Sequence, residues 1–260
     1  MEKSIIPSPM TSITLPIAKP PWSKGGKRLE SATRKALFEF NMLENVSKLA
    51  VALSGGKDSL TLLFLLKAIL GRGFPNPDLY AIHVGGEFTC GAGLHENFLE
   101  PICHELNVTL IKERSTQTRE TLQCYPCSRE RRRLIFEAAK GVGVQTVAFG
   151  HHRDDNAQTL LMNLLHKGEF AGNLPKLPMV DFGVTVIRPL IYVSETDIRQ
   201  FAKCYGFNRV SCQCPVGQHS MRKKVDGVLT ELETLFPHVR ANVSRAGLIY
   251  GSKKAMKESL

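Results

Sequence analysis

The stretch Val51-Ala52-Leu53-Ser54-Gly55-Gly56-Lys57-Asp58-Ser59 constrains this chain more than any other. A short apolar run over residues 48–54 meets two glycines, and a helix-length apolar stretch follows, so the motif is a turn from buried strand to helix. Glycine lets backbone approach an anion closely, a helix start offers N–H groups, and Ser54, Lys57 and Ser59 add donors and charge. Such a loop suits phosphate. It is not the P-loop of kinases and GTPases, because the four-residue gap and terminal Gly-Lys-Ser/Thr are missing. Asp58 is acidic in an anion-seeking loop, which makes sense if it faces a metal ion or caps the helix.

The same alternation of strand and helix recurs along the chain. A helical stripe starts near residue 29, and helices near 58–71, 93–106, 128–140 and 154–166 alternate with strands at 79–84, 108–112 and 146–150. This predicts an α/β fold, a doubly wound parallel sheet covered on both faces. Residues 168–181 are rich in Gly and Pro. A strand over 184–190, a helix opened by Ser194 with Asp197 in a capping-box position, and a basic helix near 218–235 complete the pattern. Three regions are expected: a basic, Pro-rich arm (1–27) that lacks regular elements, a nucleotide-binding domain (28–215) with a Cys-x-x-Cys insertion, and a basic helical C-terminal extension (216–260).

A hydrophobic fraction of 43% supports a sizeable core, and a net charge of +10 favours a polyanionic partner such as nucleic acid. The longest apolar stretch, residues 60–70, is broken by Thr61 and Lys67 and falls short of the about 18 residues of a membrane span, so no membrane partner is expected. The N-terminus has no apolar segment before its prolines, which makes the cytoplasm the expected location.

Two further motifs carry chemistry. Cys124-Tyr125-Pro126-Cys127 precedes an arginine-rich helix, and Cys212-Gln213-Cys214 lies some ninety residues later. Four thiolates would close a structural zinc site, whereas three would hold an iron–sulfur cluster with one open iron; spacing leaves both open. Gly150-His151-His152-Arg153-Asp154-Asp155 ends a strand and starts a helix, so it should share a crevice with the Ser54 loop. The two histidines are metal ligands or packing and orienting groups, and Asp154 is a candidate helix cap. Cys90, Cys103 and Cys204 are expected to pack as small apolar groups.

Ser54 to Ser59 resembles the SGGKDS signature of the PP-loop ATP pyrophosphatases, whose fold is that of the adenine nucleotide α-hydrolases. With Phe40-Asn41-Met42, Cys-x-x-Cys-Ser-Arg, Gly-His-His-Arg-Asp-Asp, Leu174-Pro175-Lys176-Leu177 and Ile187-Arg188-Pro189-Leu190, the chain is similar over residues 28–245 to the tRNA cytidine 2-sulfurtransferases. That resemblance implies ATP as co-substrate, pyrophosphate seated on Ser54, Gly55, Gly56, Lys57, Asp58 and Ser59, and Mg²⁺ held by Asp58 and Asp155. His83 and Gly150 are taken as further nucleotide contacts, and Arg131 as a basic residue near the activated base. It also implies a [4Fe–4S] cluster on Cys124, Cys127 and one later cysteine, for which Cys214 matches better than Cys212. The implied reaction adenylates the C2 oxygen of an anticodon-loop cytidine and replaces it with sulfur carried by the cluster. The partners are then tRNA, held through basic stretches at 24–28, 129–133 and 222–224, and a cysteine desulfurase or other sulfur donor. Dimerisation is common among related enzymes, which makes a homodimer the assembly to look for. The rivals are a PP-loop adenylating ligase with structural zinc and a non-tRNA substrate, and a zinc-stabilised RNA-binding module with a vestigial ATP loop.

Overall fold

The computed structural model describes residues 15–86, 96–118, 123–207 and 220–251. In chain order these form α1 (Lys24–Glu39), β1 (Lys48–Ala52), α2 (Lys57–Ile69), β2 (Asp78–Gly85), α3 (Glu96–Glu105), β3 (Thr109–Arg114), α4 (Cys124–Gly141), β4 (Thr146–Ala148), α5 (Arg153–Lys167), β5 (Lys176–Met179), β6 (Val184–Ile187), α6 (Glu195–Cys204), α7 (Met221–Leu235) and α8 (Val239–Tyr250). The strands make one sheet in the order β3-β2-β1-β4-β6-β5. β1 is flanked in parallel by β2 and β4, with Val51 opposite Ala81 and Ala148. The chain therefore winds outward in both directions from β1 and β4. In such sheets the crevice opens where the winding reverses, beyond the carboxyl ends of those two strands.

Period-two alternation sorts β1 between two cores. Leu49 and Val51 join the cluster built with α1, α2, α3 and α6, whereas Ala50 and Ala52 face Ile135, Phe136 and Ala139 of α4. α2 is apolar around most of its circumference and correspondingly buried from Ser59 to Leu66. A third cluster joins Ala157 of α5 to Val225 and Leu229 of α7, with Val239 and Val243 of α8 against it. The C-terminal helices thus pack directly on α5. Among the described residues no helix is long and apolar enough to cross a membrane.

The structure departs from the sequence-based expectation in three places. Lys24 to Lys27, expected within an irregular arm, form the first turn of α1. Ser23 caps that turn by accepting from the Gly26 N–H at 3.2 Å, and Ala18 and Trp22 are buried in the core. A Cβ at Gly26 would stand 2.9 Å from Trp22 Cβ, so glycine lets the helix sit against the indole. Second, the Gly/Pro-rich segment contains β5, the sheet's one antiparallel strand, paired to β6 with Pro178 opposite Thr185. An edge strand tolerates a proline that a central one would not. Third, α8 continues the C-terminal extension beyond the single helix expected there.

Candidate active site

The Ser54 loop is braced by its own hydrogen bonds. Gly55 has φ +82°, the left-handed region that glycine adopts without penalty, and Gly56 is the N-cap of α2. Ser54 Oγ accepts from the Gly56 N–H at 3.3 Å and lies 3.1 Å from Ser59 Oγ, which donates to the Gly56 carbonyl at 3.0 Å. Lys57 Nζ sits 3.0 and 3.1 Å from the two Asp58 carboxylate oxygens and 3.1 Å from Glu195 Oε1. Burial disfavours the ammonium, but Asp58 and Glu195 outweigh it and hold its pKa above the ordinary lysine value.

The β4–α5 turn closes over this loop. Gly150 approaches so near that a Cβ there would lie 3.0 Å from both the Asp58 carbonyl carbon and the Ser59 nitrogen. His152, rather than Asp154, caps α5: its Nδ1 accepts from the Asp155 N–H at 3.4 Å while Asp155 Oδ2 accepts from the His152 N–H at 3.0 Å. With Nδ1 accepting, the ring proton sits on Nε2, 3.4 Å from Asp155 Oδ2 and 3.8 Å from Asp58 Oδ1. Those two carboxylates thus converge on one imidazole. Burial alone would raise the Asp155 pKa, but His152 and Arg222, which donates to Oδ1 at 2.8 Å, hold it below the usual value. Asp154 instead accepts from the Glu195 N–H at 2.8 Å, satisfying the first N–H of α6, whose N-cap is Ser194.

His151 is fixed differently. Arg188 Nε donates to its Nδ1 at 3.3 Å, and since a guanidinium has no acceptor, the His151 proton must reside on Nε2. Burial, with the Arg188 charge behind it, pushes the His151 pKa down to about 3, so the ring is neutral at physiological pH.

A pocket of about 340 Å³ lies at the carboxyl ends of β1, β2 and β4, lined among others by Ser54, Asp58, Arg131, Gly150, Asp155 and Arg222. Of the expected nucleotide residues, Ser54, Asp58, Ser59 and Gly150 line it, whereas Gly55, Gly56 and Lys57 do not. His83 does not line this pocket: it is 1% exposed and its Nδ1 bonds the Leu53 carbonyl at 2.8 Å, bracing the end of β1, while Ile82 and Val84 supply the wall. Arg131 reaches the pocket with Nη2 bonded to the Val84 carbonyl at 2.9 Å. Glu195 is the residue that sequence reading missed. Only the β4–β6 pairing, which brings the start of α6 beside the Ser54 loop, reveals it.

Cys124 and Cys127 stand in the first turn of α4, and Cys127 is half-buried. Cys212, Cys214 and Cys90 lie outside the described residues. Cys103 packs as expected, buried, with its thiol pKa pushed up to about 11 by burial; Cys204 is exposed instead. Among the described residues no three His, Cys, Asp or Glu side chains are grouped to cage a metal. Asp58 and Asp155 offer two hard oxygen donors facing a phosphate loop, which fits Mg²⁺, an ion that takes its remaining ligands from phosphate and water.

Residues 28–211 match the PP-loop domain family, and the chain belongs to it. The solved U34-tRNA thiolase NcsA of Methanococcus maripaludis, described with its [4Fe–4S] cluster, shares the fold at TM-score 0.68 and 24% identity, over 86% of this chain and 77% of that one. Within the PP-loop family the chain belongs with the tRNA-cytidine(32) 2-sulfurtransferases, a family of sulfurtransferase enzymes. It is 33% identical to the Syntrophotalea carbinolica protein of that name over 84% of this chain and 86% of the relative. The Dechloromonas aromatica protein is 35% identical over 81% and 76% respectively.

Proposed function

We propose that this chain thiolates tRNA at the expense of ATP, adenylating the C2 oxygen of an anticodon-loop cytidine and then exchanging that oxygen for sulfur. The observation that carries the reading is the convergence of a phosphate-type loop, two carboxylates and Arg131 in one pocket at the winding reversal.

ATP would lie with its β and γ phosphates on the N–H groups of residues 55–57 and on Lys57, which pyrophosphate would share with Asp58 and Glu195. Asp58 and Asp155 would hold Mg²⁺, which neutralises charge on the phosphates. The cytidine O2 attacks the α-phosphorus and pyrophosphate leaves. Arg131 stands where it can face the developing charge. Sulfide sulfur then bonds to C2, and the C2–O bond breaks to release AMP with the original oxygen. Cys124, Cys127 and Cys214 would hold a [4Fe–4S] cluster; thiolates are its usual donors, and two of them already share one helical turn. Its chemistry when bound is to present sulfide-level sulfur to the base; free sulfide would supply this directly, whereas persulfide sulfur from a cysteine desulfurase would first need two electrons from an added thiol or other reductant.

Protein purified without oxygen, incubated with tRNA, ATP and a sulfur source, should yield 2-thiocytidine with one AMP and one pyrophosphate per modified base. Lys57→Ala should lower the rate about a hundredfold or more. Cluster iron should be lost in Cys124→Ala and Cys214→Ala but kept in Cys212→Ala. AMP release that ignores RNA, with no thiolated nucleoside by mass spectrometry, would overturn the reading.

A further inference from the structure

We propose that a second pocket, between α4 and the β5–β6 edge of the sheet, receives an unpaired RNA nucleotide that flanks the one to be modified. The assignment rests on the RNA-thiolating reading above and says where the strand beside the acceptor base enters. The pocket measures about 410 Å³, within the range of small-molecule sites. None of the Ser54 loop lines it, yet it shares Phe149 and His151 with the first pocket. Those two rings stack at 5.6 Å and 10°, so a single aromatic wall divides two chambers. A base resting on that wall is next door to the site of adenylation.

The lining combines flat apolar surface with two guanidiniums, Arg132 and Arg188, that no carboxylate among the described residues contacts directly, although Asp155 bears on Arg188 from a distance. Phe136 and Phe182 pack with centroids 5.0 Å apart, and Tyr125, 72% exposed, stands at the entrance with Arg129 5.7 Å over its ring. Unpaired bases of RNA are held by such rings, and a guanidinium plane adds to the stack. Arg132 and Arg188 line the same pocket, and among the described residues neither forms an ion pair. Arg188 is 6% exposed and donates only to neutral acceptors, His151 Nδ1 and the Leu174 carbonyl. Burial, with Arg132 beside it, holds its pKa down to about 10. Two neighbouring guanidiniums without a carboxylate between them are poised for an anion. Asp181 is the one acidic residue in the lining, and Arg133 is already satisfied by Glu137 at 2.7 Å. A planar ring joined to an anion is a nucleotide. The exposed mouth at Tyr125 and Arg129 lets a polymer enter and leave, so the occupant is a nucleotide within RNA and not a free one.

The test is photo-cross-linking of a stem-loop RNA carrying a photoreactive 5-iodocytidine in its loop, with cross-linked peptides located by mass spectrometry. Cross-links to Tyr125, Phe149 or Phe182 are expected. Arg132→Ala, which removes charge, and Met179→Trp, which fills the pocket, should each raise KM for RNA about tenfold while leaving the ATP Kd unchanged. Cross-links confined to other surfaces, or a Met179→Trp protein with wild-type KM for RNA, overturn the assignment. Cytidine 5′-monophosphate that displaces the RNA at equal concentration would mark a site for free nucleotides and overturn it too. If cross-links form as expected but wild-type protein releases no AMP with RNA, the thiolation reading fails and the pocket stands.

Discussion

Glu195 and Arg188 never touch the proposed reacting atoms, yet each fixes the state of a residue that lines or feeds the pocket. Glu195 shares Lys57 with Asp58, and Arg199 holds Glu195 in turn at 2.8 Å. Glu195→Gln removes one of the two charges that steady the Lys57 ammonium, at a half-buried site worth about 1 kcal/mol. The ATP KM should therefore rise about fivefold with a smaller change in kcat, measured at saturating RNA. Burial, with the Arg188 charge beside it, keeps His151 neutral, and this has a signed consequence for stability. The folded pKa near 3 lies below the ordinary histidine value of 6.5, so between these values the unfolded chain binds the extra proton. Stability is lost as pH falls through that window, by up to about 1.4 kcal/mol per pH unit from this one group. His151→Asn should flatten the decline in urea-unfolding free energy between pH 6 and 4; an unchanged slope would show that His151 is not held neutral. Residue types in the Ser54 and Gly150 motifs were legible because each chemistry needs a particular side chain. Glu195, the bond of Asp154 to α6 in place of its own helix and the burial of His83 were not, because they depend on which loops the sheet order sets side by side.

At the scale of elements, hydrophobic period did most of the work. The β1–α2 and β4–α5 units were legible from buried runs ending at glycine, and their helices fall within a few residues of the expected spans. β5 was not, because four residues with an internal proline carry no period at all, and its pairing to β6 alone makes it a strand. The two legible units meet at Gly150. A methyl group there would press on the Asp58 and Ser59 backbone, which unlike a flexible side-chain tip cannot swing aside. Gly150→Ala should cost about 1–3 kcal/mol in urea unfolding. ATP affinity should drop with it, because the turn must lift away from the start of α2. A variant of wild-type stability and ATP affinity would mean that this contact is looser than the geometry shows.

Over the whole molecule, 34 basic against 24 acidic side chains say only that a polyanion is welcome. The folded arrangement says where. Of the basic stretches expected to hold RNA, Arg28 is paired to Asp197, Arg222 to Asp155 and Arg133 to Glu137. The run over 129–133 divides again, Arg131 turning into the first pocket while Arg129 and Arg132 line the second. Arg131 and Arg222 thus line the first chamber and Arg129, Arg132, Arg133 and Arg188 the second, a division that spacing along one helix could not disclose. RNA binding should then rest on few phosphate contacts. With about four, and a slope of roughly −0.7 to −0.9 per contact, raising salt from 50 to 200 mM should weaken the RNA Kd on the order of a hundredfold. Arg132→Ala should lower that slope by about one contact, as expected for a phosphate-facing guanidinium. ATP binding by the Lys57 loop would fall far less, since its charges are partly buried and screened less by salt. Equal salt slopes for the two ligands, measured by fluorescence anisotropy on labelled RNA and labelled ATP, would show that the surface as a whole, and not these two chambers, attracts the RNA.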